Sequence, residues 1–471
     1  MMPTPASAAP GRRTPLVGWG GTRPTVAEVV ALTSGAVAEQ TLRHPGRRGV
    51  IARGLGRSYG DAALNAGGTV LDATALDTPG PTVGPDGTVR VPAGLSLDAL
   101  LRTVVPAGWF VPVTPGTRFV TIGGAIAADV HGKNHHRDGS IGAHIRRLTL
   151  ATPTGTVEIG PDRDPELFWA TVGGMGLTGV ILEADLVLPA IETAHLRVDT
   201  VRTGDLDEVM ALMTEGDHRY HYSVAWIDCV IRGRHLGRSV LTRGDFARRS
   251  ELSSRCAERP LDYRAAVRLT APPVFPSGLV NHRTMRAFNE AVYRRAPAHR
   301  EGELQTIARF FHPLDVIGSW NRLYGRRGFL QWQVVLPFGA EDVLRRSIEG
   351  LAAAGAASSL AVLKRFGPGD PAPLSFPTEG WTLALDLAVA PELTALLDGL
   401  DDAVVKAGGR VYLAKDSRVR RELVGVMYPR LDEWRAVRRR VDPDGVLISD
   451  LDRRLDLTGR TPAPNGRSAR S

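Results

Sequence analysis

Three observations on the 471-residue chain predict an α+β fold in two unlike parts. From Gly49 to about Pro189, short apolar runs alternate with Gly/Pro turns and leave room for only one or two helices. Within the first 180 residues lie three glycine-rich stretches, 53–61, 115–125 and 173–179, each opening or closing on such a run. After Pro189 the texture changes to strands separated by helices, the pattern of an antiparallel sheet with helices on one face.

Taken in order, strands are expected at Gly49–Ala52 and Thr69–Asp72, flanking the first glycine stretch. A helix is expected from Leu97 to Val105, capped by Ser96, and a short one from Pro165, capped by Asp164, leading into the third glycine stretch. Beyond Pro189, 193–200, 220–230, 328–336 and 381–387 read as strands. The segments 205–215, 340–354 and 391–407 read as helices. Residues 232–302, rich in Arg and Pro and poorly periodic, read mostly as loop, and the tail from Thr458 reads as disordered.

A composition of 43% hydrophobic and 23% charged residues is that of a soluble globular protein. The net charge of +8 is spread along the chain without a zinc-finger or aromatic-basic motif, so nucleic acid is not an expected partner. Cys229 and Cys256 form neither a disulfide framework nor a CxxC site. No 18-residue apolar run and no signal-type N-terminus is present, so a soluble or peripheral protein is expected.

The glycines carry the functional signal. Gly54, Gly56 and Gly60 are spaced one residue longer than the Rossmann fingerprint, and no amphipathic helix follows. A loop between strands that lets backbone N–H groups approach an anion suits a pyrophosphate cradle, although each cluster alone is also an ordinary turn. His131, His135 and His136 follow the second stretch; with no further Cys or carboxylate at suitable spacing they favour hydrogen bonding, or a cofactor-facing place for His131, over a metal site. Lys415 beside Asp416 is either a surface ion pair or a cation placed next to an anionic cofactor or phosphate. No Gly-x-Ser-x-Gly elbow and no Walker A loop occurs, which leaves a nucleotide-bearing redox cofactor as the best match to the cradle.

The runs Ile51–Asp61 (IARGLGRSYGD), Gly123–His136 (GGAIAADVHGKNHH), Glu166–Gly174 (ELFWATVGG) and Ala414–Arg418 (AKDSR) resemble the decaprenylphosphoryl-β-D-ribose oxidase family of actinobacteria, within the vanillyl-alcohol-oxidase-type flavoproteins. The likeness extends from about Leu16 to Leu457. It implies an FAD-binding domain built from 1–190 and 408–457, a substrate domain of antiparallel sheet plus helices inserted at 191–407, and a tail at 458–471. FAD contacts would fall on Arg53, Gly54, Leu55, Gly56, Arg57, Ser58, Tyr59, Gly60, Asp61, Gly116, Thr121, Ile122, Gly123, Gly124, Ala128, Asp129, Val130, His131, Ile181 and Tyr412. Superfamily relatives that bind flavin covalently do so through a His in the first glycine loop; this loop has none, which implies non-covalent FAD.

The implied reaction oxidises the 2′-hydroxyl of the lipid-linked ribose to a keto sugar, which a separate NAD-dependent reductase returns as the arabinose donor for cell-wall arabinan. Lys415 is then the key polar residue, with His131 and Tyr59 beside it. Trp226, Phe311, Gln331, Gln333, Lys364 and Ala384 would line the substrate site. Mycobacterial members carry a pocket Cys where this chain has Ala384, and a Tyr where it has Phe311. A peripheral place on the inner membrane, at its cytoplasmic face or else the periplasmic one, follows from the lipid substrate. Two other readings share the cradle: a soluble alditol or sugar-lactone oxidase using O₂, and a non-catalytic polyprenyl-phosphate-binding protein.

Overall fold

The computed structural model describes residues 11–76, 80–276, 278–356, 358 and 360–459. Its strands fall into three principal sheets. The first comprises β1 (Arg12–Leu16), β2 (Thr25–Ala31), β3 (Val50–Arg53) and β4 (Thr69–Asp72) in the order β1-β2-β4-β3. Here β2 and β3 both pair parallel with β4, so the first glycine stretch is the opening of a crossover that returns beside its own strand. The second comprises β5 (Thr88–Pro92), β6 (Ile145–Thr152), β7 (Gly155–Ile159) and β8 (Val180–Val187) in the order β5-β8-β6-β7, all antiparallel.

The third and largest sheet contains β9 (His195–Thr203), β10 (Tyr222–Ile227), β11 (Ser239–Phe246), β13 (His299–Thr306), β15 (Phe329–Leu336), β16 (Ala361–Phe366), β17 (Gly380–Ala388) and β18 (Arg410–Val411). Their order is β13-β9-β11-β10-β16-β17-β15-β18. The two-residue strands β12 (Leu269–Thr270) and β14 (Ile317–Gly318) pair separately and in parallel.

The expected helices form where their caps predict. Ser96 Oγ accepts from Ala99 N–H at the start of Leu97–Val104, and Asp164 Oδ1 accepts from Leu167 N–H ahead of Pro165–Thr171. On β17 the residues Trp381, Leu383, Leu385 and Leu387 are buried in one core with Leu344, Ile348 and Leu351 of the helix Glu341–Ala353 and Leu397 and Val404 of the helix Glu392–Lys406. This helix-covered face leaves the opposite face of the central strands for polar side chains.

Residues 232–302 meet the loop expectation only in part: the stretch between Phe246 and His282 is largely irregular, but β11, the fourteen-residue helix His282–Arg295 and the start of β13 also lie here. The signal in β11 is masked by Arg243, which is buried, stacks on Tyr220 at 4.6 Å and donates to Leu212 O. The helix is largely exposed and so lacks an apolar stripe; its start is marked by Asn281, whose Oδ1 accepts from Arg283 and Thr284 N–H. The tail expectation also changes at its first residue. Thr458 is buried, its N–H and hydroxyl both held by Asp452, while residues 460–471 lie outside the described residues.

Candidate active site

The glycine loops meet because glycine lets them. A Cβ on Gly54 would lie 2.1 Å from Thr121 Oγ1, so the first two glycine stretches touch through an absent side chain. A Cβ on Gly60 would lie 2.0 Å from the carbonyl oxygen of Asp416, which brings the first stretch against the return segment. Tyr59 N–H donates to Ala414 O at 3.1 Å, and Gly20 N–H donates to Tyr59 O. Gly56 takes the left-handed φ of +64° that its loop requires. At Gly116 the space a Cβ would occupy is open, with no atom within 4 Å.

The sides of this cradle are polar. Arg57 stacks its guanidinium on Trp19 at 3.8 Å and keeps a buried Nε without a partner among the described residues. Thr121 Oγ1 accepts from Gly124 N–H, while Ile122 and Gly123 donate to the backbone of Leu95 and Ala93. Tyr412 Oη donates to Ala128 O at 2.6 Å, fixing the segment that carries Asp129, Val130 and His131. Open backbone at glycine and a guanidinium with a free buried Nε fit a pyrophosphate-bearing cofactor.

Register places the substrate residues. Trp226 pairs with Val362, Val362 with Ala384, Lys364 with Thr382, Gln333 with Ala384 and Gln331 with Asp386. Directly opposed residues point to one side of a sheet, and every second residue along a strand does likewise. Trp226, Lys364, Ala384, Gln331 and Gln333 therefore share the face opposite the helices, together with Asp386.

On that face His131 is held between Lys364 and Gln333. Lys364 Nζ lies 3.0 Å from its Nδ1 and the Gln333 carboxamide 2.8 Å from its Nε2. Burial and the nearby ammonium of Lys364 push the His131 pKa well below its usual value, so the ring is neutral. A neutral ring accepts from Lys364 at Nδ1 and keeps its proton at Nε2, facing a carboxamide whose N and O exchange by a flip. Burial also brings Lys364 and Lys133 down to about 7. Lys415 Nζ lies 4.1 Å from the centroid of the Tyr59 ring, and burial lowers its pKa while Asp386 raises it.

Several expected residues serve elsewhere. Phe311 is buried among Phe110, Tyr222 and Phe310, against the end of β10 remote from Trp226, with Lys133 Nζ 5.8 Å from its ring. Phe311 ends the helix Ile307–Phe311, which follows the edge strand β13 of the large sheet. Asp61 pairs with Arg454 at 2.8 Å, and Arg53 donates to Val17 O and Ala63 O, so both hold the loop's shape. Ser58 accepts from Trp19 N–H, Leu55 is exposed, and Ile181 is buried in β8. His135 packs against Phe366 with 4.3 Å between ring centroids and its ring nitrogens buried without a partner among the described residues, while His136 bonds Tyr220 O. Sequence reasoning missed Asp386 and Lys133; the only signal for the first was its place two residues after Ala384, on the same side of the strand.

A family model described as an FAD binding domain matches residues 27–160, and one described as D-arabinono-1,4-lactone oxidase matches residues 388–455. With the cradle and the polar sheet face, these define the class: an FAD-dependent oxidoreductase acting on a CH–OH group. The decaprenylphosphoryl-β-D-ribose oxidase of Mycolicibacterium smegmatis is 46% identical over 450 residues, covering 94% of this chain and 97% of that protein. An uncharacterised protein of Streptomyces coelicolor is 44% identical over 77% of this chain and 100% of its own length. A rice mitochondrial L-galactono-1,4-lactone dehydrogenase matches at 27% over 40% of this chain and 32% of its own. The chain belongs to the decaprenylphosphoryl-β-D-ribose oxidase family.

Proposed function

We propose that the chain oxidises the 2′-hydroxyl of a polyprenylphosphoryl-β-D-ribose to the 2′-keto sugar, the first half of an epimerisation completed by an NAD-dependent reductase. The observation that carries this reading is the meeting of Tyr59, from the glycine cradle, with Lys415 and the polar face of the large sheet. When bound, FAD supplies the two-electron hydride acceptor. Residues 1–190 and 408–457 form its domain and 191–407 the substrate domain. FAD is held non-covalently, since no His occurs among residues 53–61.

Each protein group then has a physical task. Lys415 sets a positive charge against negative charge that develops at the reacting centre. His131 and Gln333 orient the sugar hydroxyls, and Lys364, already desolvated, gains a proton as a phosphate approaches. Ala384 and Trp226 shape the wall of the site on the same face.

No helix among the described residues is long and apolar enough to cross a membrane. Peripheral contact falls on the segment Arg264–Arg295, where six arginines accompany one acid, Glu290, and Leu269, Val274, Leu279 and Phe288 are exposed. Its Val280 packs on the cluster of Tyr59, Tyr324 and Phe329, so the patch adjoins the site. Basic and apolar side chains together suit an anionic lipid surface. We place the protein at the cytoplasmic face of that membrane; protease accessibility in spheroplasts tests this against the periplasmic side.

Anaerobic stopped-flow absorbance in the flavin band tests the function. Bleaching by a prenylphosphoryl-ribose and not by free polyols is expected. Bleaching by free polyols would move the chain to the soluble sugar oxidases, and absence of a flavin band would make it a binding protein.

A further inference from the structure

Asp386 takes no part in the chemistry assigned above, yet it is the one carboxylate on the site face of β10, β15, β16 and β17. It is 0% exposed. Its Oδ1 accepts from Gln331 Nε2 at 2.6 Å, and the same amide nitrogen lies 3.2 Å from Tyr59 Oη. Its Oδ2 is buried and has no partner among the described residues. A buried carboxylate with one oxygen anchored and the other unpaired is oriented to receive a proton from a ligand.

The neighbouring candidates are engaged. Asp416 accepts from Arg418 and Val419 N–H and pairs with Arg454 at 2.8 Å. Asp129 accepts from Gly142 N–H and Ser375 Oγ. His131 has both ring nitrogens occupied, Lys364 Nζ is turned to His131 Nδ1 and Gly132 O, and an ammonium group at Lys415 has no lone pair to offer.

We propose that Asp386 is the general base of the alcohol oxidation, its Oδ2 accepting the 2′-hydroxyl proton; the inference rests on the oxidase reading above. The O–H bond breaks and an Oδ2–H bond forms, while the C2′–H bond breaks and its hydrogen leaves with two electrons to oxidised FAD. The C2′–O bond becomes a carbonyl. The negative charge that began on Asp386 ends on the reduced cofactor, which accounts for a cation at Lys415 beside the same cluster.

The groups facing this carboxyl agree with that role. Burial raises its pKa and Lys415 opposes the rise, which brings a carboxylate into the range where a base works at neutral pH. Tyr59 and Arg57 stand on the glycine-loop side, with Tyr324 beyond Tyr59, and Lys364 and His131 stand across the sheet face.

The test uses the FAD-loaded full chain and infrared difference spectroscopy during anaerobic reduction by a prenylphosphoryl-ribose. A protonated-carboxyl carbonyl band should grow in the wild type and be missing in Asp386→Asn. That variant should keep its flavin spectrum and bind the substrate, lose kcat by about 10²- to 10⁴-fold, and lose the acid limb of its kcat/KM profile. Wild-type bleaching without the band would overturn the proposal alone, as would a variant with kcat and pH profile intact. No bleaching of the wild type would overturn the oxidase reading and this assignment with it. Should the variant fail to fold, the wild-type band decides.

Discussion

The ammonium of Lys415 stands 4.1 Å from the centroid of the Tyr59 ring, joining a residue of the first glycine loop to one more than 350 positions later. The contact is made by backbone as well as side chain, since Tyr59 N–H donates to Ala414 O. A cation held on an aromatic face in a desolvated site keeps its direction, and Asp386 nearby favours its charged form.

Replacing Lys415 by Met should therefore cost about 10²- to 10³-fold in kcat, the scale of losing one preorganised electrostatic group. FAD content should be unchanged. Rapid-mixing reduction rates and the flavin-to-protein absorbance ratio check both halves.

Gly60→Ala should lose cofactor and stability together. The added Cβ meets the Asp416 carbonyl at 2.0 Å, and backbone cannot move aside as a flexible side chain can. A destabilisation of about 1–3 kcal/mol is expected from overpacking, read as a lower Tm and a weakened flavin spectrum. Gly116→Ala, with open space at its Cβ, should leave the Tm unchanged in the absence of cofactor.

Ala384 lies on the site face opposite Gln333, so nitroaromatic inhibitors that attack a pocket thiol find none there. Cys229 is buried and its thiol is held protonated by burial. Intact mass spectrometry after turnover with such a compound should show no stoichiometric adduct, and Ala384→Cys should acquire one.

Burial brings Lys133 and Lys364 down to about 7 from the ordinary 10.5. Between those values the unfolded chain binds protons that the folded chain does not, so stability contributed by these groups rises as pH rises through that window. Tm measured from pH 7 to 9.5 should show this slope, reduced in Lys364→Met. A phosphate-bearing ligand favours the charged form, so its binding should take up protons in the same range and weaken as pH rises.

Leu269→Ser with Val274→Ser should reduce binding to vesicles of phosphatidylglycerol and phosphatidylcholine, measured by flotation, without changing the flavin spectrum. Raising the salt should weaken the wild type as well, because the arginine contribution is screened.

Reading forward along the chain found the parts whose physics is local. The caps at Ser96 and Asp164 and the two strands around the first glycine loop follow from neighbours a few residues away. The helix His282–Arg295 escaped because its residues are exposed and carry no apolar stripe, and β11 because a buried arginine interrupts its alternation. Tyr59, His131, Gln331, Gln333, Lys364 and Lys415 were named from motifs and family resemblance. Nothing local revealed that Asp386 would sit among the others.

The sequence by itself determined the α+β class, the glycine cradle and the family, because turn chemistry, strand alternation and a run such as Gly123–His136 are properties of contiguous residues. Only the tertiary structure decided which polar groups meet. Strand register selects the face that Gln331, Gln333, Lys364 and Asp386 share, a one-residue slip would turn each of them to the other side, and close packing at Gly54 and Gly60 sets the cradle against that face.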